Sequence, residues 1–176
     1  QIDDVIIEAF AGSSNAGETG STAVPLPSAQ IIVNGSVGLT FEKVKQASRI
    51  LNDANVEKEE RYFVTSPEGI EDLLGQVEAT SSDYSTLQAI QNGGFAGKTW
   101  MGFEWIESTR LESNSTRIRE SFAFHKNGIC AGLPTGPLVR TGERADLSYG
   151  WQVYYELQMA ATRLEEEKVV EIICSE

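Results

Sequence analysis

The sequence predicts an α+β fold built around one main core. Two stretches carry the apolar period of amphipathic helices: Val44, Ala47, Leu51, Ala54, and then Ile70, Leu73, Leu74, Val77. A third, SYGWQVYYELQMA, alternates strictly. Trp151, Val153, Tyr155, Leu157 and Met159 share one face against Gln152, Tyr154, Glu156 and Gln158. At 176 residues and 40% hydrophobic content, the chain is long enough for a single real core, or a main core with a small satellite.

Taken in order, Ile2, Val5, Ile6, Ala9 and Phe10 open the chain with a helix-like period, so that a start at Gln1 reads as a fragment or a processed product. Ala11 to Ala23, AGSSNAGETGSTA, is too poor in apolar residues to offset its ordering entropy and predicts a mobile loop. Thr40 has the makings of an N-cap, with Leu39 and Val44 placed as a hydrophobic staple, for a helix of roughly four turns. Tyr62 to Thr65 predicts a short buried strand. Ser66 then caps a second helix whose first position is Pro67. Tyr84, Leu87 and Ile90 predict one more short helix, stopped by Asn92-Gly93-Gly94. Met101, Phe103 and Trp105 alternate as a strand whose aromatics face the core. The strand from Ser148 to Ala160 is expected to pair with Lys168 to Cys174 across the acidic turn TRLEEE, with Val153 packed inward and Gln152 outward. That long arm has one apolar face that must cover something else.

Composition narrows the function. No apolar run approaches the ~20 residues that span a bilayer, and no basic segment precedes one, so the reading is a soluble chain without a membrane role. Fourteen Lys and Arg against 26 Asp and Glu leave a net charge of -12, which repels phosphate backbones. Nucleic acid is therefore not expected as a direct ligand. Cys130 and Cys174 lie far apart in no CxxC pattern and read as buried free thiols. The sequons at Asn34 and Asn114 are too short a pattern to carry weight.

The motifs that could carry chemistry do not reach it. NGGFAGKT, Asn92 to Thr99, lacks the first glycine of the phosphate-cradling pattern, and a helix enters it while a strand leaves, the reverse of what a phosphate loop needs. His125, the only histidine, reads as a partly exposed strand-end residue, and Asp146 stands where a serine elbow before Ser148 would need glycine. Asp3-Asp4, Glu57 to Glu60 and Glu165 to Glu167 read as solvated acids, and no calcium-loop pattern occurs. Catalytic, cofactor-binding and metal-ligating residues are thus each read as none.

The order of segments goes further. DDVIIEAFAG, VPLPSAQII, LTFEKVKQASRIL leading into YFVTSPEGIEDLL, GGFAGKTWMGFEWIEST, and above all ERADLSYGWQVYYELQMAATRLEEEKVVEIIC resemble, in order and spacing, the major capsid protein of tailed bacteriophages over nearly the whole chain.

The resemblance implies a structural protein, not an enzyme, that needs no cofactor. Copies assemble as pentamers and hexamers into an icosahedral head enclosing double-stranded DNA without specific binding, with scaffold or decoration proteins as further partners. Its place is the virion, assembled in the host cytoplasm. It also implies two parts: an axial domain of mixed sheet with flanking helices over 11–146, interrupted near 117–124, and a peripheral domain with a β-hairpin sheet, comprising 1–10, 117–124 and 147–176. The family's N-terminal arm, extended loop and most of its long helix would precede Gln1. The strand and proline-started helix at 62–74 would be a rigid support in the axial part. An encapsulin-type nanocompartment shell shares the fold, and an α+β enzyme or a binding module is the reading from other classes.

Overall fold

The structure, a computed structural model, describes residues 2–80, 99–111 and 118–175. In chain order the elements are α1 (Ile2–Ala11), β1 (Ser14–Ala16), β2 (Thr22–Val24), β3 (Ile31–Ile32), α2 (Phe41–Asp53), β4 (Arg61–Thr65), α3 (Pro67–Thr80), β5 (Thr99–Trp100), β6 (Phe103–Glu107), β7 (Ile118–His125), β8 (Ile129–Arg144), β9 (Gly150–Arg163) and β10 (Val169–Ser175).

The helix starts follow the sequence. Thr40 adopts an extended backbone and its hydroxyl accepts from the Lys43 N–H at 3.3 Å, while Leu39 and Val44 are both fully buried in one cluster. At the second start the Ser66 hydroxyl accepts from the Gly69 N–H at 3.0 Å, with Pro67 as the first helical residue. Leu73 is buried and Ile70 and Leu74 pack beside it.

A six-stranded mixed sheet in the order β3-β10-β7-β4-β6-β5 forms the body. β10 runs parallel to β3 and antiparallel to β7, and β4 runs antiparallel to β7 and parallel to β6. Both faces are covered. Val170, Ile172 and Cys174 of β10 join Phe63, Phe103, Trp105 and the apolar stripes of α2 and α3 on one face. On the other, Val169, Val64 and Phe122 pack with Phe10 of α1, Leu26 and Leu111. The aromatic centre is tight: Phe63 stacks on Trp105 with ring centroids 4.3 Å apart, and the Trp105 indole N–H donates to the Trp100 carbonyl at 3.1 Å.

Several sequence expectations need correction. Ala11 to Ala23 contains the β1–β2 ladder, Ser14 opposite Val24 through Ala16 opposite Thr22, because backbone pairing supplies order that the side chains cannot. Met101 is not a strand residue. With Gly102 it makes the tight turn between β5 and β6, both at positive φ (54° and 82°), the geometry a two-residue hairpin demands. The largest correction concerns the long arm, since β10 pairs with β7 and β3 and never with β9. VVEIICS is apolar on nearly every position, the mark of a strand covered on both faces, whereas β9 alternates and suits a ribbon with a wet face. The partner of β9 is β8. In the sheet, β7 is a neighbour of β4 and β10 a neighbour of β3.

Candidate functional site

The β8–β9 ribbon stands outside the six-stranded sheet. Its strands pair antiparallel from Ile129 opposite Arg163 to Arg144 opposite Gly150, with register shifts between Gly132 and Leu138. Those shifts fall where Pro134 and Pro137 cannot donate to a ladder and Gly136 holds no side chain, so the chain bulges and then resumes pairing.

Beyond the bulges the register sorts side chains into two faces. Tyr155 lies opposite Val139, Val153 opposite Thr141 and Trp151 opposite Glu143. On this face Trp151 is 74% exposed, Val153 70%, Tyr155 60% and Val139 57%. The other face pairs Leu138 with Glu156, Arg140 with Tyr154 and Gly142 with Gln152. There the Tyr154 hydroxyl and the Gln158 amide each donate to the Glu156 carboxylate at 3.0 Å, and the first bond holds the Tyr154 phenol above its ordinary range. At the tip, Arg144 and Asp146 form an exposed ion pair that keeps Asp146 below the usual carboxylate range.

The alternation read from sequence is therefore present, but Val153 points to solvent rather than inward. Burying one such side chain is worth about 1.5–3 kcal/mol, so this face leaves several kcal/mol of burial unrealised within the chain. A contiguous exposed apolar face of this kind marks an interaction site.

The ribbon's root, by contrast, is fixed. Arg163 is 3% exposed, and its guanidinium donates to the carbonyls of Ala9 at 3.3 Å, Phe10 at 2.6 Å, Gly12, and Val24 at 3.2 Å. A cation thus closes the C-terminal end of α1, where carbonyls lack helical partners. The connecting turns also meet: the Leu164 N–H donates to the Gly128 carbonyl at 2.9 Å, and a Cβ on Gly128 would lie 2.9 Å from that of Lys168. Glycine is required by this close approach.

Of the residues weighed for chemistry, His125 ends β7 but is 1% exposed rather than partly exposed. Its Nδ1 accepts from the Asn127 N–H at 3.1 Å and its Nε2 lies 3.4 Å from Glu57, so it serves the turn into the ribbon. Cys174 is a buried thiol outside any disulfide, but Cys130, at the start of the ribbon, is exposed. Glu57, Asp3 and Asp4 are solvated. Of NGGFAGKT only Thr99, in β5, lies within the described residues, and the helix expected around Tyr84 to Ile90 lies outside them. Among the described residues no cluster of three or more His, Cys, Asp or Glu is placed to hold a metal ion, and no helix is long and apolar enough to cross a membrane.

Besides Arg163, two buried cations among the described residues were not foreseen. Lys43 donates to the carbonyls of Val37 at 2.8 Å, Gly38 at 3.0 Å and Ile173 at 2.9 Å, and burial lowers its pKa. Arg61 donates to the backbone carbonyls of Glu57 at 2.7 Å and Val56 at 2.5 Å, with the same cause lowering its pKa. Nothing local in the sequence distinguishes these from solvated lysines and arginines, because the carbonyls that receive them gather only in the fold.

Comparison with known proteins decides the family, for a family model described as phage capsid protein matches residues 1–176. The chain belongs to the phage capsid protein family. It is accordingly a structural component of the virion. The fold of this capsid protein is similar to that of the capsid of Ralstonia phage GP4, with TM-score 0.68 and 10% identity over 98% of this chain and 62% of that one. It is likewise similar to the cyanophage Pam1 capsid asymmetric unit, with TM-score 0.65 and 11% identity over 98% and 64%. A structure of Mycobacterium phage Che8 matches with TM-score 0.59 and 17% identity over 96% and 55%. The chain thus spans less than two thirds of the length of these structures. Comparison with curated proteins found no match.

Proposed function

We propose that this capsid protein supplies the body and the long ribbon of a major capsid subunit, and that copies of it assemble as pentamers and hexamers into an icosahedral head enclosing double-stranded DNA. The observation that carries this reading is the apolar face of Val139, Trp151, Val153 and Tyr155, which nothing among the described residues covers. A face built by strict alternation on an anchored ribbon has a role only if another surface buries it.

We infer that the six-stranded sheet with α2 and α3 is the axial part, and that α1 with the β8–β9 ribbon is the peripheral part. Supporting this division is the traffic between them: only the turns at Lys126–Gly128 and Leu164–Lys168 carry the chain from the sheet into the ribbon and back. The net charge of -12 supports enclosure of DNA without tight binding, since like charge opposes adhesion of phosphate to the protein.

Electron microscopy of the intact gene product tests the proposal. Closed icosahedral shells are the expected result. A product that stays monomeric and shows a saturable thermal shift with a small ligand would return it to the binding or enzyme class, and shells filled with protein in place of DNA would make it a nanocompartment.

A further inference from the structure

The β8–β9 ladder is interrupted twice within a few residues. Between the pair Gly132–Ala160 and the pair Leu138–Glu156, β8 places five residues, 133 to 137, against three of β9, 157 to 159. Thr135 opposite Gln158 is the one registered pair between them. On each side of it two residues therefore oppose one, Leu133 and Pro134 against Met159, then Gly136 and Pro137 against Leu157. Each bulge contains a proline, which has no N–H to give to a ladder. No neighbouring segment among the described residues props the bulges, for Leu133 is 58% exposed and a Cβ on Gly136 would meet nothing within 4 Å.

The two halves of the ribbon are held differently. Its root is fixed by Arg163 on the carbonyls of Ala9, Phe10 and Val24, and by the Leu164 N–H on the Gly128 carbonyl. The distal half, 138–144 with 150–156, carries the open face of Val139, Trp151, Val153 and Tyr155. Among the described residues its side-chain hydrogen bonds stay within the ribbon and its tip, from Arg144 to Asp146 and from Tyr154 and Gln158 to Glu156. A sheet of two strands also has no third strand to hold it straight. Resistance to bending at the bulges thus rests on the β9 backbone and one registered pair.

We propose that the doubled bulge is a hinge, about which the distal half of the ribbon swings while its root stays fixed to α1 and the sheet. A hinge needs only a few residues that absorb changes in φ and ψ, and residues 133–137 are placed to do so. Its use rests on the assembly reading given above. Neighbours are related by a rotation of about 72° in a ring of five and about 60° in a ring of six, so one apolar face must meet the next copy at two angles. Motion at the base of that face lets an identical chain serve both rings without disturbing the Arg163 anchor.

Residual dipolar couplings of backbone amides in the isolated chain test the hinge, beside a variant lacking Pro134 and Pro137. That deletion leaves three residues against three, so that Thr135 and Leu138 keep Gln158 and Glu156 as partners in an unbroken ladder. In the parent, couplings at 138–144 and 150–156 should be reduced about two-fold relative to those of the sheet and the ribbon root, as for a segment that reorients. In the variant all should fit one orientation at full size. A parent whose whole ribbon already fits the frame of the sheet has a rigid bend, which would overturn the hinge whether or not the variant folds. Distal couplings that stay reduced in a folded variant would overturn it as well. Micrographs of the intact gene product carrying the same deletion test the use of the hinge: tubes, open sheets or shells of one ring type should replace the parent's heads. Parent-like heads from a stiffened ribbon would contradict that use. A parent that forms no shells would strike the assembly reading alone, since the couplings judge the hinge without it.

Discussion

Trp105→Ala should destabilise the chain by about 3–5 kcal/mol, a large share of the roughly 5–15 kcal/mol that holds a typical domain folded. The indole is fully buried in β6, stacks on Phe63 of β4 and packs near Trp100 of β5, so truncation removes apolar contacts to both strands and leaves a cavity that a sheet covered on both faces closes poorly. Its neighbour Ile106 points to the opposite face and is 39% exposed. Ile106→Ala should therefore cost far less. Denaturant midpoints of the two variants measure the difference, and equal losses would mean that the alternation in β6 does not separate a core face from an open one.

Val153→Asp should leave the isolated chain folded, within roughly 0.5 kcal/mol of the parent, because a side chain 70% exposed can carry a carboxylate in water. This reverses what the alternation alone implied, an inward Val153 whose loss would unfold the arm. In the intact gene product the consequence should be severe. If another copy covers the face, each subunit would bury a carboxylate without a partner, at several kcal/mol per contact, and shells should not form. Gln152→Asp, on the opposite face, should leave shells intact if that face stays wet. Midpoints of the isolated variants and micrographs of the intact ones check both halves. Normal shells from Val153→Asp would remove this face from assembly, and strong destabilisation of the isolated chain would show that the face is covered from within.

What the sequence revealed follows local chemistry. Thr40, Ser66-Pro67 and the stripes beneath α2 and α3 are written in neighbouring residues, since caps and helical periods span only one turn or a few. The face of Trp151, Val153 and Tyr155 was legible for the same reason. Its partner strand was not. GLPTGPL in β8 has the glycine and proline content of a loop, and only the bulged ladder to β9 shows how a strand accommodates it. VVEIICS invited pairing with β9 by proximity along the chain, although its two-sided apolar character already favoured the middle of a sheet. The buried positions of Lys43, Arg61, His125 and Arg163 depend on acceptors supplied by distant segments or by turns that exist only in the fold, and no spacing in the sequence reports them.

The ribbon face that the described residues leave open should be closed by another copy. A map of the intact shell, resolved to side chains, tests it at Trp151, Val153 and Tyr155. These three residues should lie packed beneath a neighbouring subunit and out of contact with solvent. A shell in which they remain open to water, or are covered only by other parts of their own chain, would contradict the claim.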